Sequence, residues 1–472
     1  MSKRALPIVL LAGLLGAGLW SQPCAQGPVA VQVTNLPGAG PRLFLSWAGS
    51  GPGSAYTVQS RDTLSGGLWV SVRGEQPWPI SAEHWSDLRP ADEPARFYRV
   101  VTVSAAERGK LVASVLTSYL TTGLLAPLLA GQGIPVVPQY DVSVYKLVYE
   151  TVDPLGGRTQ ASGALIVPQV TGQALPLVSY QHGTLTRKSD APSATLFGET
   201  LIGVVLATSG YVAALPDYLG LGDSPGLHPY HHASSEATAS VDMLRAARAF
   251  CASNNIALNG QLFLCGYSQG GHVTMALHRE LEAYHTNQFI ITASAPMAGA
   301  YDLSGVTTDD VLGGRPQPNP YYFAYLLAAY QDVYRLAPGL ADLLAPPYDS
   351  TLPPLLDGQH SGGQINAAMP ADVRQVLKPE VLAAFQTNPS HPLRIALRDN
   401  DLYRWTPRAP VRLYHCSGDQ DVIFANAQVA WESFRSRGAQ AQLVNPVPGG
   451  DHADCALPSL LEAKAWFDSL KR

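Results

Sequence analysis

Through the first hundred residues the apolar positions alternate. In RLFLSW (42–47) Leu43, Leu45 and Trp47 fall on one face, and AYTVQS, LWVSVRG and RFYRVVTV repeat the period of two between turns rich in Gly, Pro and Ser. Successive side chains of a strand point to opposite faces, so this period predicts short strands with one buried side. Residues 27–104 are expected to form a small all-β, sandwich-like domain, either a spacer or a tethering module. No aromatic or charged cluster in it points to a ligand.

The period then changes. From Leu111 to Leu129 the run reads as helical and is interrupted by Ser114, Thr117, Ser118, Thr121 and Thr122. Those hydroxyls predict a buried or substrate-lining helix rather than a membrane span. Beyond it, YKLVYETVD, ASGALIVP, LPLVSYQHG and GYVAALPDY read as strands, and SSEATASVDMLRAARAFCASN as an amphipathic helix. GQLFLCGYS (strand), QGGHVTMALHRELEAYH (helix) and FIITASAPMAG (strand) follow, and later APVRLYHCSGDQD, ANAQVAWESFRSRG and QAQLVNPVPGGDH as strand, helix and strand with a loop. Continuous apolar strands alternating with helices predict an α/β fold for residues 105–472, with a doubly wound, mostly parallel sheet covered on both faces. Residues 304–400 fall between two successive strands and read as an inserted helical cap above the strands' carboxyl ends, where ligands bind in such sheets. Its Tyr322, Tyr325, Tyr330 and Tyr334 serve either packing or substrate contact.

Composition narrows the class. The chain has 472 residues, 46% hydrophobic and 14% charged, enough to bury two cores and too apolar for disorder. A net charge of -5 without a long basic run gives no footprint for nucleic acid. Lys3 and Arg4 followed by the apolar run from Ala5 to Trp20 have the form of a signal peptide. Residues 1–26 are expected to be removed, with cleavage near Ala25, leaving a secreted or periplasmic protein without an integral membrane span. Cys24 raises a lipid anchor, but Gln22 and Pro23 are not the small residues such a site prefers. Cys251, Cys265, Cys416 and Cys455 then remain, enough for two disulfides in an exported chain. A bridge between Cys416 and Cys455 would staple together the two loops discussed next; buried free thiols are the alternative. Nothing in the sequence indicates an oligomeric state.

Two segments fit Gly-x-Ser-x-Gly: GDSPG (222–226) and GYSQG (266–270). A serine hydroxyl needs a base to become a nucleophile, and the oxyanion it generates needs fixed donors, one of them the N–H of the residue after the serine. Ser224 is followed by Pro225, which has no N–H, and sits in a loop punctuated by Gly and Pro. Ser268 is entered by a strand, flanked by Gly266 and Gly270, followed by Gln269 and left by a helix, so it is the expected nucleophile. Downstream, GDQD holds two carboxylates. A Gly-x-x-Asp spacing from Gly418 selects Asp421 as the acid, with Asp419 as runner-up and Asp302 as an outsider. His452, after a strand and a Gly pair, is the expected base. Thr184, after Gly183 at the end of a buried strand, offers a second backbone N–H for the oxyanion beside that of Gln269. His228, His231 and His232 in HPYHH invite a metal reading, but no Cys or carboxylate completes a ligand spacing, so neither metal nor cofactor is expected.

From about residue 140 onward the chain resembles the α/β-hydrolases, and most of all the secretory lipase family and its bacterial relatives. The residues that carry the likeness are ASGALIVP, SYQHGT, PDYLGLGDS...HPY, CGYSQGGH, GDQD and GGDH. Residues 28–104 are loosely similar to fibronectin type III modules through YTVQSRDTL and RFYRV. The family resemblance implies a Ser-Asp-His hydrolase of carboxylic esters with a cap over its site, so a small-molecule or lipid ester is the expected substrate and an acyl-enzyme the expected intermediate. A serine peptidase on the same fold and a catalytically silent binding protein are the rival readings.

Overall fold

The computed structural model describes residues 29–36, 40–63, 68–75, 78–90 and 96–472; the expected signal peptide and Cys24 lie outside the described residues. The chain divides into two compact units. One holds the described residues up to Arg108 together with Thr151–Thr159, the other Gly109–Glu150 and Gln160–Arg472.

The first unit contains β1 (Val29–Leu36), β2 (Gly40–Trp47), β3 (Ala55–Arg61), β4 (Val70–Ser71), β5 (His84–Pro90) and β6 (Phe97–Val103). They form two three-stranded antiparallel sheets, β1-β2-β5 and β4-β3-β6. The alternation has the expected result: Leu43, Leu45 and Trp47 of β2 are buried with Tyr56 and Val58 of β3, Trp85 of β5 and Val100 of β6 in one core between the sheets. Each such aliphatic side chain removed from water contributes about 1.5–3 kcal/mol. LWVSVRG forms only the two residues of β4, and Leu68 and Val70 stay exposed.

The second unit is built on nine strands: β7 (Leu111–Leu120), β8 (Val142–Val152), β9 (Arg158–Pro168), β10 (Leu175–Gln181), β11 (Val212–Pro216), β12 (Leu258–Tyr267), β13 (Ile291–Met297), β14 (Val411–Tyr414) and β15 (Ala441–Val444). Their order across the sheet is β15-β14-β13-β12-β10-β11-β9-β8-β7. Neighbours from β15 to β11 pair in parallel, while β11 with β9 and β8 with β7 pair antiparallel. This is the α/β-hydrolase architecture, a mostly parallel sheet with apolar cores on both faces. The chain passes from β10 to β11 on one side and returns to β12 on the other. That reversal opens a crevice at the carboxyl ends of β10 and β12.

The helical reading of residues 111–129 is corrected. Leu111–Leu120 is the edge strand β7, laddered to β8 from Leu111↔Tyr149 to Leu120↔Val142, and only Thr122–Gly131 (α1) is helical. Rather than buried, Val112, Val115, Leu116 and Tyr119 are about half exposed. Strand pairing with β8 overrode a local pattern that both states could satisfy. Further on, α2 (Thr200–Thr208), α3 (Ala233–Ser253) and α4 (Gln269–Tyr284) connect the central strands.

Between β13 and β14 the chain makes the helical cap, including α5 (Thr308–Gly313) and α6 (Tyr321–Tyr334), around a core of its own. Its two ends are tied together: Leu402 N–H donates to the Tyr301 carbonyl, and Ser304 donates to Asp401 from its N–H (3.0 Å) and hydroxyl (2.6 Å). The four tyrosines divide by role. Tyr322 lines the cavity described below, Tyr325 and Tyr330 are buried and donate to the Leu185 and His231 carbonyls, and the Tyr334 hydroxyl accepts from Asn400.

Candidate active site

Ser268 sits between β12 and α4 with φ 60° and ψ -121°, in the left-handed half of φ that a non-glycine residue occupies only when its surroundings hold it there. The hold is visible: the Ser268 N–H donates to the Met297 carbonyl at 2.9 Å, and α4 begins at the next residue. The flanking glycines are required by approach rather than by flexibility. A Cβ on Gly266 or on Gly270 would run into the Gln181 carbonyl oxygen, so only hydrogen lets the elbow press against the end of β10.

That end of β10 continues into His182-Gly183-Thr184, and a Cβ on Gly183 would lie 3.9 Å from the Ser268 Cβ. The turn therefore runs beside the nucleophile candidate. It is anchored by the half-buried Glu199 carboxylate, which accepts from the Gly183 N–H and from the Tyr180 hydroxyl at 2.6 Å. On the other side the Thr184 hydroxyl pairs with that of Tyr230 at 2.9 Å. Ser224, by contrast, lies in a turn, its N–H donating to the Leu221 carbonyl and its own carbonyl accepting from Lys188.

His452 opens the helix His452–Leu470, which is capped by Asp451 and Asp454 in a reciprocal box. Its carbonyl accepts from the Tyr267 hydroxyl at 2.5 Å and its ring lies 5.0 Å from that of Tyr267, which brings it next to the residue preceding Ser268. Its Nδ1 is 2.6 Å from Oδ2 of Asp419. A carboxylate only accepts, so Nδ1 is the donor in this contact and Nε2 is the ring nitrogen left to face elsewhere.

The acid on the imidazole is therefore Asp419, and the selection of Asp421 is corrected. Asp419 is buried, and every lone pair in reach is used: Oδ1 accepts the N–H groups of Asp421 and Val422 at 2.9 Å each, and Oδ2 faces His452 and, at 3.2 Å, His415. Burial alone would raise its carboxyl; the hydrogen bonds from His415 and His452 outweigh that and hold it well below the usual carboxylate range. Asp421 turns the other way, toward the cap, where its Oδ1 accepts from Asn319 at 2.9 Å. Asp302 is outside the site as well, its carboxylate capping the Gly305 and Val306 N–H groups. The disulfide is formed between Cys416 and Cys455 and leaves Cys251 and Cys265 as buried thiols. Each bridged cysteine is three residues from its member of the Asp419–His452 pair. That matching offset was present in the sequence as a signal for Asp419.

Ser268 opens into a cavity of about 110 Å³ under the cap. Leu303, Val311, Phe323, Leu326, Phe385 and Leu397 make it apolar over much of its wall, while Asn319 and Asp421 give it a polar margin. Tyr230 and His231 of HPYHH line the same cavity. The fold brings in the carboxylate that local spacing lacked: His231, Glu236 and His272 place ligand-capable atoms within 4.8 Å of one another. His228 donates through Nδ1 to the Leu219 carbonyl, and Nδ1 of His232 pairs with the Ser235 hydroxyl.

A secretory lipase profile matches residues 185–293. No match is found among curated protein sequences. Among solved structures, the rice cell wall degrading esterase LipA from Xanthomonas oryzae is 31% identical, with a TM-score of 0.68 over 77% of this chain and 98% of that one. A protein of Legionella pneumophila assigned as a hydrolase is 29% identical, with a TM-score of 0.72 over 76% of this chain and 98% of that one. Candida antarctica lipase A, 16% identical with a TM-score of 0.55 over 73% and 78%, shares the fold.

Proposed function

Starting from a chain that belongs to the secretory lipase family of α/β-hydrolases and is a carboxylic-ester hydrolase, we propose that Ser268, His452 and Asp419 form its catalytic triad. The observation that carries this reading is the strained elbow at Ser268, whose preceding residue Tyr267 contacts a histidine with its Nδ1 fixed by a buried aspartate. Nε2 of His452 takes the Ser268 proton as Oγ attacks the acyl carbon, and the backbone N–H groups of Gln269 and Thr184 stabilise the oxyanion. Collapse of the tetrahedral species breaks the ester C–O bond, and the departing alkoxide takes the proton back from His452. A water then attacks the acyl-enzyme, giving its proton to the same imidazole, and the carboxylic acid leaves with Ser268 restored.

The apolar wall of the cavity favours an acyl chain as the occupant next to Ser268. Export of the protein is supported by the family match and by the Cys416–Cys455 bridge, since disulfides persist in oxidising compartments. Among the described residues no helix is long and apolar enough to cross a membrane. Hydrolysis of p-nitrophenyl acetate and butyrate tests the reading: Ser268→Ala lowers kcat by at least about 10³-fold, and retention of wild-type rates by that variant contradicts it.

A further inference from the structure

Against the first turn of α4 packs a buried polar network that the triad does not use, and its hub is Glu236 in the first turn of α3. Its Oε1 accepts from the side-chain Nε2 of Gln269 at 2.7 Å and from the His231 N–H at 3.1 Å, and its Oε2 is 3.0 Å from Nδ1 of His272. The second amide hydrogen of Gln269 points at Nε2 of His228, 2.6 Å away; His228 donates through Nδ1 to the Leu219 carbonyl, so its Nε2 is free to accept. Gln269 and His272 both belong to the first turn of α4. One carboxylate thus fastens the start of the elbow helix to α3 and to the HPYHH loop.

His272 is itself held at both ring nitrogens, facing Glu236 through Nδ1 and the Asn400 carbonyl through Nε2, at 3.2 Å. We infer that Glu236 is a positioning residue for the oxyanion site: by holding the Gln269 side chain it fixes the direction of the Gln269 backbone N–H. The inference rests on the reading of Gln269 as an oxyanion donor. An oxyanion donor works only if it is in place before charge develops, and a 1 Å misplacement is enough to lose much of its effect. Tethering the same residue at its side chain supplies that placement.

A divalent cation on His231, Glu236 and His272 is the competing occupant of this cluster. It fits less well. The Glu236 carboxylate already accepts three N–H donors, and its single negative charge leaves a dication only half compensated in a buried site.

The test compares wild type, Glu236→Gln and Gln269→Leu in ester hydrolysis and in inhibition by an alkylboronic acid, whose tetrahedral serine adduct resembles the intermediate. Both variants are expected to lose roughly 10- to 100-fold in kcat with KM changed by less than about twofold, and to bind the boronate more weakly by a similar factor. Gln269→Leu keeps the Glu236–His272 pair, so it reports on positioning if Glu236→Gln does not fold. A raised KM with kcat and boronate affinity unchanged in the folded variants overturns the inference. So does one equivalent of zinc per chain in the purified enzyme. Boronate inhibition of the wild type, lost in Ser268→Ala, separates this from the triad reading: when that control holds, full kcat in Glu236→Gln overturns the positioning role alone, and when it fails both readings fall.

Discussion

Asp419 and Asp421 lie two positions apart in one turn and meet different fates. Asp419 is turned inward by hydrogen bonds from two N–H groups of its own turn and from the His452 imidazole, with His415 3.2 Å away, whereas Asp421 is held by one cap side chain, Asn319. Asp419→Asn removes the acceptor that fixes the His452 tautomer and is expected to lower kcat by about 10³–10⁴-fold. Asp421→Asn leaves kcat within about tenfold, because it loses only a contact at the cavity margin. The reverse ranking in steady-state kinetics would move the acid to Asp421. Spacing from a glycine could not separate the two, since the direction of each side chain is set by where the turn docks. Gly418 lies so close to the Gly449–Gly450 backbone that a Cβ there would collide with it, a contact between segments about thirty positions apart. Ser268 was more legible because its requirements are local: an entering strand, glycines where backbones touch, an N–H on the next residue and a helix leaving.

At the level of elements, the patterns were readable where burial is either one-sided, as in the alternating β2, or complete on both faces, as in the continuous apolar strands β10 and β11. The run at 111–120 failed because an edge strand with half-exposed apolar side chains has no face that periodicity can report. The cap raises a question that sequence did not pose: what closes a hundred-residue insertion at its base. Part of the answer is Asp401, buried against Ser304. Burial, assisted by the neighbouring Asp302 carboxylate and opposed by the Ser304 hydrogen bonds, raises its carboxyl to about 6. A folded pKa above the unfolded value means that its contribution is complete below about pH 4 and is lost as pH rises through about 6. The difference is on the order of 2–3 kcal/mol by pH 8. Asp401→Asn is therefore expected to gain thermal stability relative to wild type at pH 8 but not at pH 4. An equal difference in Tm at both pH values contradicts the assignment.

Across the whole catalytic unit, the site collects what the parallel strands deliver at one edge: the turn after β10, the elbow after β12, and the loops after β14 and β15. The Cys416–Cys455 bridge ties the last two loops across a separation of 39 residues. Closing a loop of that length in the unfolded chain stabilises the native state by roughly 3–4 kcal/mol, so Cys455→Ser should lower Tm by several degrees; an unchanged Tm would show that the bridge carries no such load. On the proposed mechanism this organisation serves one hydroxyl, that of Ser268. The most direct measurement is peptide mass mapping after treatment of the native protein with a fluorophosphonate. The account predicts one adduct per chain, on Ser268. An adduct on Ser224 or any other residue, or none on the folded enzyme, contradicts it.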